Sequence, residues 1–226
     1  MATNRDEIAQ FLDGGQTAAS TVIPPFGGYR GIAKLEVEAG GRPWNVLSYD
    51  PEGARALMTI ARADRPVLDL TYPSRTRSKE IAEILQRQWH TNLGAQVNLV
   101  MVDWNVWAQT ANSLNYRGVI ESGGGADYAD PNSLFEMFTG RTDGSGWNDQ
   151  EFSRLVDYAN AEPEPGVRMQ KLAAAEERLL RAMPVLPLFF DAYSCLQKPY
   201  VRDLPLTAYD RPQFKHAWID TNWRAA

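Results

Sequence analysis

The sequence holds one cysteine, Cys195, and two histidines, His90 and His216. A single thiol closes no internal disulfide and builds no cysteine-based zinc site. The two histidines lie far apart, and no HExxH pattern joins either to a metal. Basic residues number 23 against 28 acidic ones, for a formal net charge of −5. That balance argues against a phosphate-neutralising surface and hence against a nucleic-acid partner. No apolar run approaches the ~20 residues of a membrane span. The apolar stretch over residues 185–190 is broken by Pro187. The opening residues lack the basic and then apolar pattern of a secretory leader. Neither internal repeats nor low-complexity segments occur.

What is present reads as a soluble globular α/β chain. Hydrophobic residues make up 44% of the 226, charged residues 23% and aromatics 11%, enough to bury a sizeable core. A helix is expected from Asn4 or Arg5 to Gly14-Gly15, with Ile8, Phe11 and Leu12 on one face. Residues 22–30, with two prolines and two glycines, are a loop. Asp50-Pro51-Glu52 opens a second helix: a cap, a proline in the first turn and an acid at the positive dipole end. Strands are expected over residues 67–72, 96–102 and 116–121. Between them lie a helix over 78–93 and a short one carrying Trp104, Trp107, Ala111 and Leu114. This alternation with short links predicts a mainly parallel sheet. Later come a cap and helix start at Asp130-Pro131, a loop over 140–148, helices over 149–161 and 166–183, and a buried strand over 185–190. From residue 198 the chain loses periodicity.

Chemistry is sparse. Gly123-Gly124-Gly125 fits neither the dinucleotide fingerprint nor the P-loop. Ser145 lies outside a GxSxG elbow, and Cys195 has no neighbouring histidine to activate it. Asp127 and Asp130 miss calcium-loop spacing. Asp130 is explained as a helix cap. Asp127 is not needed there, and it follows the carboxyl end of a strand, where open α/β sheets bind ligands. Trp104 and Trp107 read mainly as packing residues, with Trp104 also placed to meet a ligand.

Six segments in order resemble the family 5 extracellular solute-binding proteins, the peptide-binding components of ABC importers. They are Ala2-Thr3-Asn4-Arg5, Val22-Ile23-Pro24-Pro25, Tyr49-Asp50-Pro51-Glu52, Leu85-Gln86 through the Leu93-Gly94 turn to Trp104, Ala126-Asp127-Tyr128-Ala129-Asp130-Pro131, and Arg168 to Pro187. The resemblance implies an α/β fold with a mixed sheet flanked by helices: one lobe of a two-lobed, type II-like periplasmic binding protein. It implies a C-terminal ligand-binding lobe over residues 1–191 and an extended tail over 192–226 that returns to an N-terminal lobe outside this chain. It implies a periplasmic, non-enzymatic receptor without cofactor or metal, capturing a peptide or related small solute for the permease subunits and touching the membrane complex only peripherally. The aspartate of Ala-Asp-Tyr pairs with the peptide ammonium in the resembling proteins, so Asp127 takes that role, with Tyr128, Trp104 and Glu121 as further ligand-binding candidates. Two departures stand out. Glycines occupy the stretch where a tryptophan is common, and Glu121 stands where a neutral or basic residue is frequent; a negative charge there favours a cationic ligand group. A small hydrolase using Asp127 with Asp130 or Glu121 is the alternative.

Overall fold

The structure, a computed structural model, describes residues 1–140, 145–205 and 212–223. Most of its helices begin where a side chain supplies a partner for the otherwise unpaired first-turn amides. Helix α1 (Arg5–Leu12) follows Asn4, whose Oδ1 accepts the Glu7 N–H at 3.1 Å. Helix α2 (Pro51–Ile60) follows Asp50, which accepts from Gly53 at 2.8 Å. Helix α3 (Thr76–Leu93) stops at Gly94, which takes the left-handed conformation expected of a C-terminal cap. Helix α4 (Trp104–Ser113) is capped by Asp103. A short α5 (Asn132–Phe135) tightens into a 3-10 turn over Glu136–Phe138. Asp149 caps α6 (Gln150–Asn160), and Glu164 caps α7 (Pro165–Ala182).

The central sheet has the parallel order β5-β4-β6, from β4 (Val67–Pro73), β5 (Gln96–Val102) and β6 (Val119–Ile120). Antiparallel pairing occurs separately. β1 (Thr17–Ala18) pairs with β7 (Phe189–Phe190), β2 (Glu36–Ala39) with β3 (Arg42–Asn45), and β8 (Val201–Arg202) with β9 (Trp218–Ile219). The α/β architecture is therefore as expected, but the expected mixed sheet is not found among the described residues: the parallel and antiparallel pairs lie in different sheets, because the antiparallel strands are two to four residues long and pair only with each other.

Several element bounds differ from expectation. The third parallel strand is only two residues long. Gly118 precedes it with φ +72°, and a Cβ there would run into the Asp69 backbone. The chain can join β4 only after that close approach, which glycine alone allows. The strand expected over 185–190 shrinks to Phe189–Phe190, because Pro187 interrupts it and β1 offers two partners. Phe11 is 51% exposed, since the short α1 turns Ile8 inward instead. Leu114 lies past the end of α4 in a left-handed conformation and is exposed. Of the loop expected over 140–148, residues 141–144 lie outside the described residues, as do 206–211 and 224–226 of the tail.

The buried apolar residues form two large clusters and a small one. In the first, Leu70, Tyr72 and Val97 of the sheet meet Ile81, Leu85 and Trp89 of α3, with Ile8. In the second, Phe135, Phe138, Phe152, Val156, Leu172 and Leu179 enclose Ile23 and Tyr29 from the proline-rich loop. Leu35, Leu47 and Leu180 form the third. The segment over residues 185–189 ties the large clusters together: Val185 packs on the second, Leu188 and Phe189 on the first. The buried Arg5 reaches the same segment, its Nε donating to the Pro187 carbonyl at 2.8 Å. Thr3 and Ala2 are held by α3, through Trp89 Nε1 to Thr3 Oγ1 at 2.9 Å and Asn92 Nδ2 to the Ala2 carbonyl at 2.8 Å. Every residue of Ala2-Thr3-Asn4-Arg5 thus has a structural task. In the tail, Trp218 Nε1 donates to Asp203, Asp220 N–H to the Tyr200 carbonyl and Arg202 to Asp220, all local contacts. Leu196, Phe214, Trp218 and Ile219 remain exposed.

Glu176 of α7 is fully buried. Its Oε1 accepts the Val22 and Ile23 N–H groups at 3.1 and 2.9 Å, and its Oε2 accepts the Tyr29 hydroxyl at 2.6 Å. Burial pushes this carboxyl above its usual range, although the hydrogen bonds pull the other way. A raised carboxyl pKa means the native state keeps a proton that the unfolded chain has released. Stability therefore falls as pH rises from the ordinary 4.5 into the raised range. Urea unfolding across a pH series from about 4 to 8 should show that decline in the parent and a flatter profile in Glu176→Gln. Glu176→Ala, which strands the donors it served, should lose about 3 kcal/mol. A parent profile that matches Glu176→Gln at every pH would refute the assignment.

Candidate functional site

Because β4, β5 and β6 are parallel, their carboxyl ends share one edge. There β4 leads through Ser74 and Arg75 into α3, β5 through Asp103 into α4, and β6 into Glu121. Two bonds knit the edge: Ser74 N–H to the Val102 carbonyl and Glu121 N–H to the Thr71 carbonyl, both 2.8 Å. Open α/β sheets present ligand sites at this edge, where loops diverge and backbone groups are unpaired.

The edge brings together two of the four candidates. Trp104, 42% exposed, stacks on Trp107 with ring centroids 4.5 Å apart and planes inclined by 21°. The Arg75 guanidinium lies 3.8 Å from the Trp104 ring centroid, a cation–π contact. Trp107 Nε1 donates to the Glu121 carbonyl at 2.9 Å and so fixes α4 to the end of β6. Trp107 is therefore a packing residue with a polar tether, while Trp104 keeps an open surface. The half-buried Glu121 carboxylate accepts the Ser78 hydroxyl at 2.8 Å. Burial raises its pKa; Ser78 and the charges of Arg77 and Arg75 oppose the rise without cancelling it. Glu121 thus acts first as an internal counter-charge among arginines at the start of α3.

The other two candidates sit on the turn before α5. Asp127 and Tyr128 are both exposed. The Asp127 N–H donates to Ser133 Oγ at 2.7 Å. Tyr128 Oη donates to Glu136 at 2.8 Å, and Asn132 Nδ2 donates to Glu136 at 2.6 Å and to Tyr128 Oη at 3.2 Å. The described contacts thus tie Asp127 and Tyr128 to α5 and its 3-10 extension, and Glu121 and Trp104 to the sheet edge. Between the groups runs Gly123-Gly124-Gly125, all exposed, where a Cβ on Gly124 would strike Met137.

Asp130 behaves as a structural residue. Its Oδ1 accepts the Asn132 N–H at 2.8 Å, and both its oxygens meet Arg168 of α7 at 2.7 and 2.8 Å. Burial alone would raise its carboxyl, but Arg168 and Asn132 outweigh it and hold the group below its usual range. The carboxylates that a hydrolase would pair are engaged separately, Asp130 by Arg168 and Glu121 by Ser78, so the hydrolase reading finds no support. Among the described residues no three His, Cys, Asp or Glu side chains gather as metal ligands, and no helix is long and apolar enough to cross a membrane. Sequence reasoning missed Ser133, Arg168 and Glu176. The first two act across six and 38 residues, beyond any local pattern. Glu176 carried a signal: an acid on the apolar face of α7 between Leu172 and Leu179.

Comparisons with known proteins agree with this architecture. The dipeptide-binding protein DppE of Bacillus subtilis is 29% identical over 213 residues, covering 90% of this chain and 38% of that protein. The periplasmic murein peptide-binding protein MppA of Escherichia coli is 24% identical over 184 residues, covering 76% of this chain and 34% of that protein. The solved structure of E. coli MppA superposes with a TM-score of 0.74 at 20% identity, covering 89% of this chain and 40% of that one. The substrate-binding domain of an oligopeptide ABC transporter from Bacillus anthracis gives 0.74 at 20% identity, covering 96% and 44%. This chain spans under two-fifths of the length of these two curated relatives. The family described as bacterial extracellular solute-binding proteins, family 5 middle, matches residues 1–146, and the chain belongs to that family.

Proposed function

We propose that this chain is the C-terminal ligand-binding lobe of the substrate-binding component of an ABC importer. The receptor works in the periplasm, encloses a peptide or related small solute between two lobes, and delivers it to the permease without chemical change. The family match over residues 1–146 carries this reading, and relatives named for dipeptide or oligopeptide binding support the ligand class. The open carboxyl edge of the sheet, with Trp104 exposed beside Arg75, is the surface that the ligand meets. Asp127 pairs with the ligand's ammonium group; Tyr128 and Trp104 supply flanking contacts, and Glu121 balances the arginines beneath. A carboxylate enclosed at a lobe interface makes a charge-assisted hydrogen bond far stronger than one in open water. Lobe closure is a hinge motion about the chain crossovers. Residues 192–226 return to the other lobe, which covers the apolar side chains exposed on the tail.

Calorimetry on the full-length receptor tests the site. Asp127→Asn should weaken binding of trialanine by about 1.5–3 kcal/mol and leave N-acetyl-trialanine nearly unaffected, since that ligand carries no ammonium. Asp130→Ala should cost far less affinity than Asp127→Asn and lower stability by about 1 kcal/mol through the lost Asn132 hydrogen bond, with a further loss at Arg168. Equal affinity of the parent for both ligands would reject the ammonium site.

Hydrogen exchange tests the tail. Backbone amides over residues 197–205 and 212–223 should exchange faster than those of β4 and β5 in this isolated chain, and slow markedly in the full-length receptor. Equal protection of tail and sheet in the isolated chain would mean that the tail belongs to this lobe.

A further inference from the structure

Asp127 has an awkward location for a recognition residue. It lies on an exposed turn, and the three residues before Ala126 are glycines. Glycine leaves the backbone its widest choice of conformations. A carboxylate hung on such a segment pays ordering entropy each time it meets a ligand, which erodes the affinity of the contact. Strong recognition from this position needs something rigid to hold the backbone in advance.

Ser133 supplies it. Its side chain is largely buried, with the residue 6% exposed, and its Oγ accepts the Asp127 N–H at 2.7 Å. Ser133 is itself fixed from several sides. Its N–H donates to the Asp130 carbonyl at 3.1 Å, and Asp130 is gripped by Arg168 of α7. Two residues further on, Phe135 is fully buried and meets the Tyr29 ring edge-on at 5.7 Å. The hydroxyl therefore couples the glycine-led turn to the second core cluster.

We infer that Ser133 is the positioning residue of the ligand-ammonium site, fixing the Asp127 backbone so that its carboxylate is set before the ligand arrives. This rests on the assignment of Asp127 proposed above. Ser133 touches no ligand; it acts through Asp127 alone. Its effect should therefore appear in the preference for a free over a blocked ammonium, whereas a merely structural hydrogen bond would weaken both ligands alike.

The test uses the full-length receptor with trialanine and N-acetyl-trialanine. Ser133→Ala should cut the affinity ratio between them by roughly three- to ten-fold, the value of one hydrogen bond, with the N-acetyl affinity unchanged. Ser133→Thr, which keeps the hydroxyl, should restore the ratio. In an Asp127→Asn background, Ser133→Ala should change the ratio no further. If Ser133→Ala fails to fold, Ser133→Cys, close in size but a poor acceptor, should show the same loss of ratio. Equal weakening of both ligands, or an unchanged ratio while Asp127→Asn abolishes it, overturns the inference and leaves the Asp127 site standing. A ratio that survives Asp127→Asn overturns the site and the inference with it.

Discussion

A buried carboxylate is tolerated only where hydrogen bonds replace its lost water. Glu176 meets that condition with donors from the proline-rich loop and the residues just after it: the Val22, Ile23 and Ile32 amides and the Tyr29 hydroxyl. The loop has no regular structure to satisfy its own amides, and α7 has no other polar group of this depth to offer. Each solves the other's problem. With the loop fixed, Tyr29 sits edge-on to Phe135, and Gly27, at φ +58°, lies so close to Pro131 that a Cβ would strike the proline ring. The turn bearing Asp127 is thus braced against a loop that one carboxylate of α7 holds in place.

The sheet edge follows a different logic. Its polar groups neutralise one another locally: Glu121 faces Ser78 and the field of Arg75 and Arg77, and Arg77 also pairs with Asp191 at 2.9 Å. The aromatic stack of Trp107 and Trp104 under Arg75 gives the edge a flat, semi-rigid surface with a cation over it. Ser78 and the arginine fields thus offset the burial of Glu121 only in part.

Most of the scaffold was legible in the sequence because its signals are local. Asn4, Asp50, Asp149 and Gly94 mark helix ends through contacts of three to five residues. Seven-residue strands of β-branched and aliphatic residues declare themselves in the same way. Very short strands declare themselves poorly: the sequence pattern predicts longer strands at β6 and β7 and none at β1, because their extent is set by their partners. The proline-rich loop was recognisable as a loop, but nothing local says that Ile23 and Tyr29 are core residues. That depends on Glu176, some 150 residues away. For the candidate site, position after a strand pointed to Asp127 and Trp104, and resemblance supplied Tyr128, Glu121 and the role given to Asp127. The division into a sheet-edge pair and a turn pair came from tertiary contacts alone.

The glycine run between those pairs joins two pieces of structure that are held independently, one by the first cluster and one by the second. Among the described residues, a Cβ on Gly124 would meet Met137, while one on Gly123 or Gly125 would meet nothing. Lengthening or shortening such a connector changes the span between its ends at little energetic expense. Altering a few residues of this linker would therefore change the spacing between the sheet-edge pair and the turn pair, leaving both halves of the scaffold intact.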